Sequence, residues 1–299
     1  MISIPSQRRP LGLRRSWLFT AGLDAGAQQA AIDCRPDVVV ADLEEFTALA
    51  ERPEARPRVA ALMQRCRDHE IVGAVRVNRL AHDGLDDLQG VMAGSPDVVF
   101  LPYVESAEQI LALAEAISAL EARFEIAAGS TEIVPTIESA LGFVRIQSIL
   151  TASDRITACL LAAEDLTADL GAERGPDSLE LNHLRSRFLV ECRAANRIAI
   201  DCPFNYQDPV AQDADLVWAR RIGLRAKCAV YPAQVAAIHA ALTPSEAQVS
   251  AAEELVARFE AFRRGQADGS APPQGPDCHT ARRLLARNRE FRSWDGRGR

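Results

Sequence analysis

The sequence predicts an α/β chain folded as a (β/α)8 barrel with a C-terminal helical extension. Three observations carry this reading. Short β-branched runs recur eight times. Longer amphipathic stretches of helical period separate them. The eight units together occupy about 225 residues, the length over which a parallel sheet can close on itself.

Taken in order, the predicted strands are Ser16–Thr20, Val38–Leu43, Ala74–Asn78, Val98–Tyr103, Ile133–Glu138, Ile156–Ala162, Ile198–Asp201 and Arg225–Val230. Each is nearly continuous in apolar character, as strands buried on both faces require. The predicted helices between and after them are Ala25–Ile32, Glu54–Arg67, Leu85–Met92, Ser106–Ala122, Ala140–Leu150, Leu179–Asn196, Pro209–Ile222 and Pro232–Ala241. An open doubly wound sheet is the competing arrangement. It ordinarily has a glycine-rich phosphate turn after its first strand, and here that turn reads Thr20-Ala21-Gly22-Leu23-Asp24, with one glycine. Beyond the barrel, Thr243-Pro244-Ser245-Glu246 reads as a helix start with Thr243 as cap, and that helix runs to about Arg264. A linker, Gly265–Pro276, leads to a last helix, Cys278–Arg289. The expected organisation is thus a barrel over 1–242 and a helical arm over 243–299. An arm on such a linker adds little to a barrel core and is placed to reach a second subunit, so a homo-oligomer is expected.

Composition narrows the function. Of 299 residues 48% are hydrophobic but only 5% aromatic, so the core is built mainly from Ala, Val, Leu and Ile. A net charge of -7 disfavours nucleic acid and anionic membrane surfaces as partners. No apolar stretch approaches the roughly 20 residues of a membrane span. The seven cysteines form no CxxC pair, which fits reduced thiols in a cytoplasmic protein and argues against a zinc site. Seven arginines lie between Arg282 and Arg299, as a solvated end or as a tail docking on an acidic neighbour. Lys227 is the single lysine.

In a barrel of this kind chemistry collects at the C-terminal ends of the strands. Here those ends carry Asp42, Glu44 and Glu45, then Arg76 and Asn78, then Glu105, Glu138, Glu164 and Asp165, with Lys227 on the last strand. So many carboxylates around one mouth would repel one another, and a divalent cation is the simplest neutraliser. Carboxylate and water ligands suit Mg2+ or Mn2+, and Glu138 and Asp165 on adjacent strands fit a cation that takes one or two protein carboxylates. Each also has an ordinary reading as an acid near a helix N-terminus. Arg76, inside an apolar run, needs an anionic partner: Asp42, Glu44, or a substrate carboxylate or enolate. Lys227 reads equally as a salt bridge at the rim.

Together these residues resemble the HpcH/HpaI aldolase and citrate lyase beta-subunit family. The resemblance runs from about Arg14 to Arg263. It rests on Arg15-Ser16-Trp17-Leu18-Phe19, Asp42-Leu43-Glu44, Arg76-Val77-Asn78, Leu101-Pro102, Val104-Glu105-Ser106, Ile137-Glu138-Ser139, Ala163-Glu164-Asp165-Leu166, Asp169-Leu170-Gly171 and Leu242-Thr243-Pro244-Ser245-Glu246. The order and spacing of these stretches carry it more than any one of them.

The resemblance implies a metal-dependent barrel, often a homotrimer or homohexamer. Its implied chemistry is cleavage or formation of carbon–carbon bonds in 3-hydroxy acids or acyl thioesters of citryl, malyl or citramalyl type, on coenzyme A or an acyl carrier. It implies Glu138 and Asp165 as metal ligands, with Mg2+ as cofactor. It implies Arg76 as the substrate arginine, Asp42 and Glu44 as the acidic pair beside it, Lys227 at the substrate, and Asp277 as an aspartate donated to a neighbouring subunit's site. The chain departs from the family pattern at Glu45 (commonly Asp), at Tyr103 (often Lys), and at Ala226-Lys227-Cys228-Ala229-Val230-Tyr231-Pro232, where Gly-Lys-x-x-Ile-His-Pro is usual. Three other readings stay open: a Schiff-base aldolase through Lys227, a thioester hydrolase, and a non-catalytic subunit that binds an acyl thioester.

Overall fold

Each predicted apolar run overlaps a strand, the third strand beginning and ending two residues before its run does, and each strand pairs in parallel with the next. They are β1 (Ser16–Ala21), β2 (Val38–Asp42), β3 (Val72–Arg76), β4 (Val98–Leu101), β5 (Glu132–Ile137), β6 (Ala158–Leu161), β7 (Ile198–Asp201) and β8 (Ala226–Ala229). β8 pairs back onto β1, so the sheet is a closed eight-stranded barrel without an open edge. A computed structural model describes residues 8–266 and 274–296 of the chain. They divide into two compact units, 1–238 and 239–299.

The barrel helices are α1 (Ala25–Asp33), α2 (Arg52–Asp68), α3 (Leu85–Val91), α4 (Ala107–Arg123), α5 (Ala140–Val144), α6 (Ile146–Leu150), α7 (Ala163–Asp169), α8 (Asn182–Ala194), α9 (Pro209–Ile222) and α10 (Gln234–Leu242). Three differ from expectation. The stretch 140–150 is two short helices, broken at Arg145. The stretch Leu179–Leu181 is a 3-10 turn that precedes α8. α7 occupies a segment too short to display a helical period in sequence. β4 stops at Leu101, before the expected Tyr103. Pro102 has no N–H to give a ladder, and Tyr103 takes a left-handed backbone with φ 50°.

Period-two alternation sorts the barrel residues. Phe19, Val40, Ala74, Phe100, Val134, Leu160, Ile200 and Cys228 belong to one buried cluster with Trp17, Val38, Val72, Val98, Ala158 and Ala226, and this is the barrel interior. Phe100 meets both Trp17 and Phe19 edge-on at 5.6 Å, and such pairs contribute about 1 kcal/mol each beyond burial. The same parity, carried two residues further on β2 and β3 and four on β5, places Asp42, Arg76 and Glu138 at the inner mouth. It turns Asp201 and Lys227 outward.

The N-terminal ends of the strands close with ion pairs. Arg14 reaches Glu132 at 2.7 Å, Arg15 reaches Asp37 at 2.9 Å, and Arg8 bridges Asp97 at 2.7 Å. In the second unit, α11 (Glu246–Arg263) and α12 (Gly275–Asp295) pack on each other and are linked by Arg282 and Glu260 at 3.1 Å. The cap of α11 is Ser245, not Thr243: the Ser245 hydroxyl accepts from the Gln248 N–H while the Gln248 side chain accepts from the Ser245 N–H. α12 is longer at both ends than predicted, and much of the expected linker lies outside the described residues. Among the described residues no helix is long and apolar enough to cross a membrane.

Candidate active site

The mouth is built from strand ends. Asp42 closes β2 and stands in register with Arg76, which closes β3. The pair is bidentate: Arg76 Nε donates to Asp42 Oδ1 at 2.8 Å and Nη2 donates to Oδ2 at 2.5 Å. Nη1 meets Glu44 Oε2 at 3.1 Å, and the guanidinium lies 5.2 Å from the Phe19 ring centre. Asp42 is fully buried and also accepts from the backbone N–H groups of Glu44 and Phe46. Its oxygens are thus committed, and it orients Arg76 in one plane. Arg76 is buried, which alone would weaken its charge, but Asp42 and Glu44 hold its proton more tightly than usual. Three of its five N–H donors are occupied, which leaves two for a ligand in the cavity that it lines. The Glu44 carboxyl is pushed above its ordinary range, first by burial and then by the surrounding acids, against the pull of Arg76.

Glu138 follows β5. It is 1% exposed, and neither carboxylate oxygen has a hydrogen-bond partner. The Tyr103 backbone amide lies near enough to favour the charge slightly but does not satisfy either oxygen. Burial, opposed by Arg76 and reinforced by Glu44 and Asp165, pushes its pKa up to about 8. Glu138 does not serve α5: the Ser139 hydroxyl accepts from the Gly142 N–H, and Asp169 accepts from the Ala140 N–H. The helix start is satisfied without it. Asp165, in the first turn of α7, accepts a hydrogen bond from the Tyr103 hydroxyl at 2.5 Å. Burial, the hydrogen bond to Asp165 and the nearby Glu138 and Glu44 keep the Tyr103 proton in place well above the ordinary phenol range.

A buried carboxylate with two bare oxygens is costly unless a cation completes it. Among the described residues no three acids, histidines or cysteines stand together as a metal set. The pair Glu138 and Asp165 suits a hard cation that takes one or two carboxylates and fills its shell with water and substrate. It does not suit zinc, which wants three or four protein ligands. Beside this edge lies a cavity of about 540 Å³. Its lining includes the polar Arg76, Glu45, Glu164 and Asp165 and the largely apolar Phe19, Leu160, Cys228, Val230 and Tyr231.

The structure thus brings Asp42, Glu44, Arg76, Glu138 and Asp165 together. It does not bring Lys227 to them. The Lys227 ammonium is buried on the outer side of the sheet, donating to Asp201 at 2.9 Å and to the Cys202 carbonyl at 2.8 Å, with Asp215 at 2.7 Å. Arg185 completes the cluster through Asp201 and Asp215. These acids outweigh the effect of burial and keep Lys227 protonated beyond the usual range, so it has no free amine for a Schiff base. Asp277 stands in the first turn of α12, in the second unit. Tyr103 is the site residue that sequence reasoning passed over; it stood out only as a departure from Leu-Pro-Lys.

The HpcH/HpaI aldolase/citrate lyase family pattern matches residues 15–220. The chain belongs to this family. The citrate lyase subunit beta of Haemophilus influenzae is 35% identical over 258 residues, covering 85% of this chain and 88% of that protein. A (3S)-malyl-CoA thioesterase of Cereibacter sphaeroides is 28% identical over 281 residues, 91% of this chain and 94% of that one. Among solved structures, the protein CitE from Mycobacterium tuberculosis in complex with magnesium, acetoacetate and coenzyme A superposes with a TM-score of 0.69 at 26% identity. The match covers 92% of this chain and 97% of that one. A citrate lyase beta subunit from the same organism, complexed with oxaloacetate and magnesium, gives 0.61 at 27% identity over 78% of this chain and 100% of that one.

Proposed function

We propose that this member of the HpcH/HpaI family is a Mg2+-dependent carbon–carbon lyase acting on a 3-hydroxy acid or its acyl thioester, of citryl, malyl or citramalyl type. The observation that carries the reading is Glu138: two buried, unpartnered carboxylate oxygens at the barrel mouth beside Asp165. Magnesium and coenzyme A in the Mycobacterium tuberculosis complex, and the activities named for the Haemophilus influenzae and Cereibacter sphaeroides proteins, support it.

Glu138 and Asp165 would hold the ion. Bound there, Mg2+ supplies Lewis-acid chemistry and a template for the carboxylate and adjacent oxygen of a 2-oxo acid fragment. In the cleavage direction the substrate hydroxyl loses its proton and the bond to the thioester α-carbon breaks. The electron pair stays on the thioester fragment as an enolate, which takes a proton at carbon. Arg76 directs its two remaining N–H donors at the oxygen that gains charge, held rigid by Asp42 and Glu44. The largely apolar lining residues, among them Phe19 and Tyr231, keep water from the enolate. Asp277, from the arm of a neighbouring subunit in a homotrimer or homohexamer, would exchange the proton at the enolate carbon.

The test is metal binding and turnover together. Glu138→Gln and Asp165→Asn should each lose Mg2+ binding by calorimetry and reduce turnover of malyl-, citramalyl- or citryl-CoA by at least about a thousandfold. Full Mg2+-dependent turnover in Glu138→Gln sinks the assignment. The Cereibacter sphaeroides relative favours one second reading, thioester hydrolysis. Hydrolysis releases free thiol and leaves the carbon skeleton whole, whereas cleavage leaves the thioester intact and splits the skeleton, so product analysis separates them.

A further inference from the structure

Arg79 lies three residues beyond β3, on the rim that carries the carboxylates. Its guanidinium carbon is 3.9 Å from the centre of the Tyr103 ring, and the hydroxyl of that ring donates to Asp165. Arg79 is exposed and makes no ion pair among the described residues. Other arginines at this end are committed: Arg76 to Asp42 and Glu44, Arg52 to Asp83, Arg174 to Glu164 and Glu180. In a mouth rich in acids an unpaired guanidinium is unusual. The Tyr103 face offers it a seat with an electrostatic attraction of its own. A guanidinium seated on a ring keeps its N–H donors in their own plane, directed away from that face and open to an anion.

Both supports are fixed by the local chain. Tyr103 holds its left-handed φ of 50° with the Gln109 side chain donating to its carbonyl at 3.2 Å. The loop that follows Arg79 folds back tightly at Gly84, where a β-carbon would stand 2.3 Å from the Asn78 carbonyl oxygen. The seat therefore tolerates no larger residue at 84.

We propose that Arg79, seated on Tyr103, is a second anion-binding residue of the site, taking a carboxylate or phosphate that the substrate carries beyond the group held at Glu138 and Asp165. This rests on the metal-dependent reading above. It makes the preferred ligand one with two separated anionic groups. The outer group is either a second carboxylate on the 2-oxo acid fragment or a phosphate on the thioester handle. Tyr103 links the two places, with its hydroxyl on a metal carboxylate and its ring under the outer cation.

Calorimetry of the full chain with Mg2+ tests this with paired probes: oxaloacetate against pyruvate, and coenzyme A against pantetheine. The wild type should prefer the member with the extra anion by about tenfold in at least one pair, equivalent to 1.4 kcal/mol. Arg79→Ala and Arg79→Gln should both erase that preference by weakening the doubly anionic probe. Tyr103→Phe keeps the ring and should keep the preference, while weakening Mg2+ binding through loss of the hydroxyl on Asp165. Tyr103→Ala should lose both. Loss on the oxaloacetate arm identifies a carboxylate, and loss on the coenzyme A arm a phosphate. The proposal is overturned if the wild type shows no preference in either pair, or if both Arg79 variants retain it. Mg2+-dependent pyruvate binding that persists alongside such a failure leaves the metal reading intact; its absence from the wild type removes both.

Discussion

Glu138 concentrates the electrostatic conflict of the mouth in one side chain. Its charge is buried beside Glu44 and Asp165 with no hydrogen bond to offset desolvation, and Arg76 is already shared with Asp42 and Glu44. Glu138→Gln removes the cost of burying an ionisable group there, at nearly constant volume. In EDTA the variant should therefore unfold at higher temperature than the wild type, by about 1–3 kcal/mol of stability. Adding Mg2+ should raise the wild-type melting temperature and leave that of the variant unmoved. A variant that melts lower in EDTA would mean that the carboxylate has a structural partner. Arg76→Lys keeps the charge but not the fork that grips Asp42 at two points. It should lower kcat about a hundredfold with little change in Mg2+ affinity, measured by steady-state kinetics and calorimetry. The places of Glu138 and Arg76 were legible in sequence, because each interrupts an apolar run near the end of a strand, and Asp165 was legible as an acid four residues past β6, in what proves to be the first turn of α7. Their partners were not. That Asp42 grips Arg76 at two points depends on the β2–β3 register, and that Tyr103 reaches Asp165 depends on a left-handed residue that propensity does not predict.

Between residue and barrel, the strands sort side chains by parity, and Lys227 shows the consequence. It sits in an apolar run between Ala226 and Cys228, both of which face the interior, so it must face the helices. Counting alternation against the core predicts this; the continuous apolarity of a doubly buried strand hides it. There the lysine joins β8 to β7 through Asp201 and to α9 through Asp215, and Arg185 adds α8. Removing one member of such a cluster strands a buried charge. Lys227→Met should cost about 3–5 kcal/mol in urea unfolding while leaving Mg2+ affinity unchanged, and borohydride with pyruvate should trap no adduct on the wild type. A trapped adduct at Lys227 would restore the Schiff-base alternative. At the other end of the barrel, Glu121 near the end of α4 accepts from Arg155 and from the backbone N–H groups of Gly129 and Thr131. Burial opposes its charge, but these donors outweigh it and hold its pKa at about 2. The unfolded chain titrates nearer 4.5, so this contribution is complete above that value and is lost as pH falls toward 2. Melting temperature followed from about pH 5 to about 2.5 should fall less steeply in Glu121→Gln than in the wild type.

The whole barrel separates two kinds of charge. Its N-terminal rim spends Arg8, Arg14 and Arg15 on Asp97, Glu132 and Asp37 in short, mutually satisfied pairs, as a face that only stabilises should. Its C-terminal rim keeps Glu138 unsatisfied and, among the described residues, Arg79 without an ion pair, as a face that awaits ligands should. Closure into a barrel was legible from eight apolar runs taken together with the single glycine in the turn after the first strand, because burial on both faces alone fits an open doubly wound sheet as well. The role of the helical arm was not, since neither α11 nor α12 carries its partner in its own sequence. On the family reading, Asp277 of the arm serves the site of a neighbouring subunit. If it does, defects in the mouth and in the arm lie on different chains of one active site. Mixing inactive Glu138→Gln protomers with inactive Asp277→Asn protomers, after dissociation and reassembly, should then restore activity. In a random pairing of mouth and arm, about a quarter of the sites combine two intact halves. Native mass spectrometry of the mixture must show heteromeric trimers or hexamers. Mixed oligomers that form without any recovered turnover would mean that mouth and arm act within one chain, or that Asp277 takes no part.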